Sequence, residues 1–204
     1  MSNEKIEDMI VKDKENISPR EFLELAKYHI TRAGCEDLFE YIVNGSDFLE
    51  APASSEFHLA RKGGLIQHSF NVFRSLMDID NRLKLECNMQ TIALVSLFHD
   101  LCKANFYKED VRNRKIDGKW HQVPYYSIDD KDPYGHGEKS VILLQQWMKL
   151  SKEEILAIRY HMGAWASEGF AQRKALSAAM NQSKLLKALM LADQTATYFM
   201  EDEA

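Results

Sequence analysis

The sequence of 204 residues is poor in the residue types that mark secreted, fibrous or disulfide-stabilised proteins. It contains three cysteines (Cys35, Cys87 and Cys102), four prolines and nine glycines. Because the cysteines are odd in number and far apart, we expect reduced thiols rather than a disulfide framework or a zinc ribbon. A collagen-like or low-complexity chain would need far more glycine and proline. The composition therefore favours an ordinary globular protein.

Long hydrophobic runs and an excess of positive charge are also missing. No uninterrupted apolar stretch approaches the roughly 18 residues of a membrane span, and the first segment, MSNEKIEDMIVKDKENIS, lacks the apolar core of a signal peptide. The formal net charge is −5, from 26 basic and 31 acidic residues. No global field therefore attracts nucleic acid or an anionic membrane. We expect a cytoplasmic protein without membrane contact, in which phosphate chemistry depends on a local cluster of cations or metals.

Helical periodicity dominates the chain. Ser18 to Glu21 form a capping box with proline at the first helical position, which predicts a helix ending near Gly34. Further helices are predicted at 36–43, from Leu65 onward, and at 90–103, 137–150, 151–160 and 183–200. We predict an all-α helical bundle in which residues 1–50 form an N-terminal helical segment packed on the domain of residues 51–204.

One β-hairpin interrupts this helical pattern. Asp117-Gly118 separates residues 111–116 from 119–123 and is a strong two-residue turn signal. The hairpin region carries four ring-bearing side chains, Trp120, His121, Tyr125 and Tyr126. They could form a lid that stacks a base, but we favour packing in the core. The hairpin is expected to be a small insertion in the bundle.

Several polar residues fall on apolar helix faces. They are His68, His99, Asp100, His136, His161 and Asp193. A lone histidine on such a face is most often a hydrogen-bonded core residue, and Asp193 taken alone is best explained as a partly exposed residue near a helix end. The whole set is harder to explain this way, because burying an unpaired carboxylate is costly. Helices that cross in a bundle can bring such side chains together, and imidazole with carboxylate suits Fe, Mn, Ni or Zn better than Ca or Mg alone. The pattern indicates a metal site in the core.

The order of these residues resembles the H…HD…H…H…D pattern of the HD-domain superfamily of metal-dependent phosphohydrolases. His68, the pair His99-Asp100 and Asp193 match its core pattern, and His136 and His161 match the extended form. Residues 51–69 and 99–103 also resemble the catalytic domain of the bacterial HD-type 3′→5′ exoribonucleases, although Cys102 replaces the usual glycine. The similarity runs from about residue 50 to about residue 200.

The resemblance implies two divalent transition metals per chain, which we expect to be Mn, Fe, Ni or Zn, with Mg as an alternative. By resemblance, Asp100 bridges the two metals. His68, His99 and Asp193 complete the ligands of one metal, and His136 and His161 bind the other. Such a metal pair lowers the pKa of a bound water and neutralises phosphoryl oxygens.

Cationic and imidazole side chains near the motif are candidates for catalysis and substrate binding. The family uses the lysine of its HD-x-x-K segment as a phosphate contact, so Lys103 joins Asp100 as a candidate catalytic residue. We assign substrate binding to Lys103, His58, Lys139 and Arg159. The simpler alternatives are a solvated lysine at a helix end for Lys103, a loop histidine for His58 and a solvated arginine for Arg159.

Two departures from the exoribonucleases bear on the substrate. Those enzymes carry an N-terminal OB-type nucleic-acid domain, whereas the first 50 residues here are too short and too helical to form one. The net charge of −5 also argues against a long basic channel, and hence against long nucleic acid as a substrate. We expect hydrolysis of a phosphoester of a nucleotide or a similar small phosphorylated compound. The alternatives are an HD-fold di-iron oxygenase, a non-catalytic nucleotide-sensing module and a general RNA nuclease.

Overall fold

Eight α-helices run through residues 16–166 and 169–201, the part of the chain that this computed structural model describes. They are α1 (Pro19–His29), α2 (Cys35–Glu40), α3 (Gly64–Leu83), α4 (Met89–Phe98), α5 (His136–Trp147), α6 (Lys152–Tyr160), α7 (Gly169–Gln182) and α8 (Lys184–Thr195). Short 3-10 or π turns follow at Tyr41–Gly45, Leu101–Lys103, Gly163–Ala166 and Ala196–Met200. The expected mostly helical fold is confirmed.

Side-chain caps define where two of these helices begin. At α1, the Glu21 backbone N–H donates to Ser18 Oγ, and the Glu21 carboxylate accepts from the Ser18 backbone N–H. Ser151 and Glu154 form the same reciprocal pair at the start of α6. Each capping box satisfies two backbone donors that a helix start would otherwise leave unpaired. Both helix starts were predicted from these sequences, and both are confirmed.

The core lies between helices α1, α3, α4, α5, α6 and α8. Helix α3 packs against α4 and α8, while α6 packs against α8 and α5. Phe22 of α1 and Phe98 of α4 meet Phe48 of the intervening loop, with ring centroids 5.7–6.0 Å apart. Aromatic contacts of this kind add to the stabilisation gained from apolar burial. Residues before position 50 thus share the hydrophobic core of the helices that follow.

The hairpin is longer and more exposed than the sequence predicts. Strands β1 (Tyr107–Ile116) and β2 (Lys119–Ile128) pair antiparallel around Asp117 and Gly118, whose φ values are 50° and 81°. Such positive φ values belong to the tight turn that suits an Asp-Gly pair. Trp120 is 71% exposed, so the expected core packing of this residue is wrong. The two strands form a ribbon that projects from the bundle.

Several helix predictions differ from the structure. The first helix ends at His29 rather than near Gly34, and the last ends at Thr195, where a π turn follows. The helix expected at 90–103 ends at Phe98, and a 3-10 turn spans Leu101–Lys103. Because of this break, the backbone at Asp100 does not follow the path of a continuous helix. Helix α7 was not predicted, because only Leu176 and Ala179 among its residues are buried and no apolar stripe marks it.

The proposed domain boundary near residue 50 stays a prediction, and residues 1–15 of its first segment lie outside the described residues. The last three residues, 202–204, lie outside them as well. Within the described part of the chain, no helix combines the length and the hydropathy that a bilayer span requires.

A partly buried ion pair joins the loop after α1 to α6. Arg32 donates from Nη1 and Nη2 to the two oxygens of Glu154, at 3.0 and 2.7 Å. Thr91 of α4 adds a hydrogen bond of 3.0 Å to the same carboxylate. Burial opposes ionisation of Glu154, but these bonds outweigh it and lower the pKa of the carboxyl. The Glu154 carboxylate therefore connects α6, α4 and the loop after α1.

We expect Arg32→Met to lower the free energy of unfolding by about 2–3 kcal/mol, because it leaves a buried carboxylate without its cation. The folded-state pKa of Glu154 lies below 4.5, its usual value. The ion pair therefore stabilises the fold fully at pH values above 4.5, and this stabilisation is lost as the pH falls below 4.5 and through the folded-state pKa. Denaturant titration at neutral and acid pH measures both effects. The control, Arg20→Met, removes an exposed pair with Glu24 and should have little effect. If the free energies of unfolding of wild type and Arg32→Met differ by the same amount at both pH values, the ionic explanation is contradicted.

Candidate metal centre

The six polar residues expected to bind metal come from five segments, and most of them lie at helix ends. His68 lies in α3 and Asp193 in α8. His99 follows α4, Asp100 comes next, His136 begins α5, and His161 follows α6. Side chains at the ends of several helices can meet at one point even where the helices themselves do not pack closely. The structure brings all six residues together.

The Asp100 carboxylate is the centre of this cluster. His136 Nε2 lies 2.7 Å and His161 Nε2 3.4 Å from Asp100 Oδ1. On the other oxygen, Oδ2, His99 Nε2 lies at 3.5 Å and His68 Nε2 at 3.8 Å. Asp193 Oδ1 completes the group at 3.2 Å from His68 Nε2. Each oxygen of Asp100 thus faces two imidazoles, the arrangement expected for a carboxylate between two metal positions.

The opposite ring nitrogens of these histidines point away from the centre and have their own partners. His99 Nδ1–H donates to the Ser96 carbonyl at 2.8 Å, and His161 Nδ1–H donates to the Ile158 carbonyl at 2.7 Å. A carbonyl oxygen can only accept, so Nδ1 carries the proton in both rings. When such an imidazole is neutral, its Nε2 presents a lone pair to the centre. This pattern is the usual one for histidines that bind a metal.

One of these inward nitrogens lacks a hydrogen-bond partner. His161 is 1% exposed, and its Nε2 is a buried polar atom without a hydrogen bond in the described structure. An unpaired buried nitrogen is costly unless something at the site satisfies it. A divalent cation next to Asp100 would do so, and the six side chains that meet here are imidazoles and carboxylates. The residues present therefore fit a transition-metal site.

Electrostatic coupling in the cluster is strong. Burial opposes the charge on Asp100, yet Lys103, His99 and His136 together hold the pKa of this carboxyl well below its usual value. Burial likewise opposes the charge on His68, but Glu201 and Asp193 raise its pKa to about 10. For His99 burial dominates and lowers the pKa to about 4. The carboxylates create a buried negative potential that attracts cations.

Lys103 and His58 also lie at the cluster. Lys103 Nζ lies 2.7 Å from Asp100 Oδ2 and donates to the Ala53 carbonyl at 2.6 Å. His58 Nε2 lies 4.0 Å from Glu201 Oε2, and the His58 ring centroid is 5.2 Å from that of His68. These two candidates for substrate binding therefore border the metal ligands expected from the sequence.

Lys139 and Arg159 are engaged with other carboxylates. Lys139 is 6% exposed and donates to Asp130 at 2.5 Å. Arg159 pairs with Glu138 at 2.8 Å. Their assignment to substrate binding stays a prediction, and each would have to exchange an ion pair for a substrate contact.

A glycine permits the close approach of α5 and α6 that brings His136 and His161 together. A Cβ atom on Gly137 would lie 2.1 Å from the Arg159 carbonyl oxygen, well inside van der Waals contact. The centroids of the two imidazole rings are 5.2 Å apart. Any side chain at position 137 would therefore push these two helix ends, and their histidines, apart.

The sequence analysis missed two groups that contact the cluster. Glu201 is 5% exposed, and its carboxylate accepts a hydrogen bond from His68 Nδ1 at 3.0 Å. Cys102, expected only as a reduced thiol that replaces the usual glycine, has its Sγ 3.3 Å from His136 Nδ1. A signal for Glu201 was its position eight residues after Asp193, close to the same helix face. The π turn at Ala196–Met200 holds more residues per turn and brings Glu201 onto that face.

A cleft of about 760 Å³ opens between residues 55–62 and the hairpin. Its charged side chains include Arg61, Lys62, Arg112 and Glu56, and Arg112 forms an ion pair with Glu56. The Arg112 guanidinium also lies over the Tyr125 ring, 5.2 Å from its centroid. The hairpin thus forms one wall of a polar cleft.

Comparison with known proteins gives the family. A family model described as HD domain matches residues 65–198. Proteins of this family are in general metal-dependent phosphohydrolases that bind divalent metals through histidine and aspartate. No curated protein and no solved structure matches the chain, so the exoribonuclease-like features have no independent support. On the evidence of a match over most of its length, the chain belongs to the HD domain family.

Proposed function

We propose that the protein is a divalent-metal-dependent phosphohydrolase that cleaves a phosphoester of a nucleotide or a similar small phosphorylated compound. The observation that carries the proposal is the convergence of four histidine Nε2 atoms on the two oxygens of a single buried carboxylate, Asp100. Imidazole nitrogens in this number around one carboxylate are costly to bury unless they bind cations.

Two metal positions follow from how the side chains are grouped. His68, His99 and Asp193 would hold one metal, His136 and His161 the other, and Asp100 would bridge both. When bound, such metals activate a water as nucleophile and neutralise the phosphoryl oxygens. The family resemblance supports this division, as does the approach of two imidazoles to each Asp100 oxygen.

In this proposal, Lys103 contacts the phosphoryl group of the substrate. An ammonium group has three hydrogens, and two of them are directed at Asp100 and the Ala53 carbonyl. The third can donate to a phosphoryl oxygen as a point-charge contact. The Lys103 side chain is 13% exposed, and the side chains of Asp193 and His136 are 14% and 26% exposed. This narrow access favours a small phosphorylated substrate over a long polymer.

A di-iron oxygenase of the HD fold would use a similar ligand set. Lys103 favours hydrolysis, because a cation beside the ligands stabilises a phosphate anion and has no evident use in activating oxygen. Assays with and without oxygen separate the two. Turnover of phosphoesters that continues anaerobically supports hydrolysis, whereas product formation that stops without oxygen would identify an oxygenase.

For metal binding, we expect purified protein titrated with Mn²⁺ or Zn²⁺ to take up about two ions per chain. His136→Ala should reduce uptake to about one ion, because it removes a ligand of the second position. Elemental analysis after gel filtration measures both values.

The matched control is His121→Ala, which removes an exposed histidine of the hairpin. It should retain the full metal content. A wild-type protein that binds no divalent metal would refute the proposed function. Equal metal content in wild type and His136→Ala would refute the assignment of His136.

For Lys103→Ala, we expect hydrolysis to fall about 10- to 100-fold, since a charge-assisted contact is worth about 1.5–3 kcal/mol and about 1.4 kcal/mol corresponds to tenfold in rate. Metal content should not change, because an ammonium group is not a ligand. Turnover of the best substrate from a screen of phosphomonoesters, phosphodiesters and dinucleotides provides the measurement.

Lys149→Ala serves as the control, because Lys149 is an exposed lysine in the segment after α5. It should leave turnover unchanged. If Lys103→Ala hydrolyses substrate as fast as wild type, Lys103 makes no contact in the transition state, and the main residue-level reason for preferring hydrolysis disappears.

A further inference from the structure

Glu201 is a buried carboxylate beyond the segment that the family model matches, which ends at residue 198. Its side chain is fully buried next to His68. His68 Nδ1 lies 3.0 and 3.1 Å from the two Glu201 oxygens. Because His68 Nδ1 and Asn71 Nδ2 both lie at hydrogen-bond distance from its oxygens, the Glu201 carboxylate accepts from both side chains.

A relay of side-chain amides holds this carboxylate in place. The Ile17 backbone N–H donates to Gln67 Oε1 at 2.7 Å. Gln67 Nε2 donates to Asn71 Oδ1 at 3.0 Å, and Asn71 Nδ2 donates to Glu201 Oε1 at 3.0 Å. The Ile17 N–H can only donate, so Gln67 faces it with its oxygen and presents its nitrogen to Asn71, which fixes the direction of the relay. The carboxylate orientation thus depends on α3 and on the segment before α1.

The geometry points to Glu201 as a positioning residue that binds His68 Nδ1–H and presents His68 Nε2 to the metal. This inference rests on the proposed function, since it requires His68 to be a ligand. With Nδ1–H held by Glu201, Nε2 lies 3.2 Å from Asp193 Oδ1 and 3.3 Å from His99 Nε2. The carboxylate fixes both the ring orientation and the position of its proton.

His68 differs from the other histidines of the cluster in the charge of its outer partner. His99 and His161 donate Nδ1–H to backbone carbonyls, and His136 Nδ1 contacts the Cys102 thiol. A carboxylate increases the electron density on the imidazole more than a carbonyl does, and so strengthens its bond to a metal. The position occupied by His68 and Asp193 should therefore bind its ion more tightly because of Glu201.

The test is the affinity of the protein for Zn²⁺, measured by competition with a chelator of known affinity. Glu201→Gln preserves the shape of the side chain but removes its charge, and it should weaken the tighter Zn²⁺ site about 10- to 100-fold. Glu201→Asp retains the charge and should recover part of this loss. The control, Glu50→Gln, removes an exposed carboxylate that pairs with Lys62 and should bind Zn²⁺ like wild type.

Long-range ¹H–¹⁵N NMR of zinc-loaded wild type, labelled at histidine, supplies a readout that does not depend on a variant folding. We expect His68 to carry its proton on Nδ1 and to bind zinc through Nε2. Zinc bound through His68 Nδ1 would overturn the inference, as would wild-type zinc affinity in Glu201→Gln. Either result leaves the proposed function intact if wild type binds zinc, whereas a wild type that binds none refutes both.

Discussion

A buried carboxylate is the constraint on which the centre of this structure depends. Asp100 is 2% exposed, and removing its charge from water costs several kcal/mol unless it is compensated. Compensation comes from Lys103 three residues later, from the adjacent His99 and from imidazoles on three other segments. The helix ends that carry these groups must therefore meet at one point. The packing of α3 against α8, and of α5 against α6, places them there.

The centre has two layers with different chemistry. The inner layer consists of Nε2 atoms and carboxylate oxygens that face one another. The outer layer consists of groups that hold the rings from behind: two backbone carbonyls, a thiol and the carboxylate of Glu201. The backbone carbonyls cannot be removed by substitution, whereas the thiol and the carboxylate can. Substitution of either group should therefore change metal binding while the six inner residues stay the same.

Much of the fold and most of the site could be predicted, because helix starts and apolar helix faces are determined by residues close together in the sequence. Capping residues predicted the starts of α1 and α6, and the polar residues on apolar faces do lie together. The sequence did not predict the break after Phe98, because nothing in that apolar run marks where tertiary contacts of Asp100 outweigh helix propensity. Glu201 was not predicted because its spacing from Asp193 is only a weak signal, and its final placement depends on the π turn at Ala196–Met200. Helix α7 was not predicted because it buries few side chains and therefore shows no apolar stripe.

The way the hairpin joins the bundle affects how the protein can evolve. The ribbon leaves the bundle after Phe106 and returns at Asp129, and the Asp129 N–H donates to the Phe106 carbonyl at 2.9 Å. Because its two ends are already tied together, adding or removing paired residues at the tip changes little of the closure entropy. No core contact depends on Trp120, which is largely exposed. One wall of the cleft can thus change in length and sequence by mutation while the Asp100 cluster and the helices around it remain as they are.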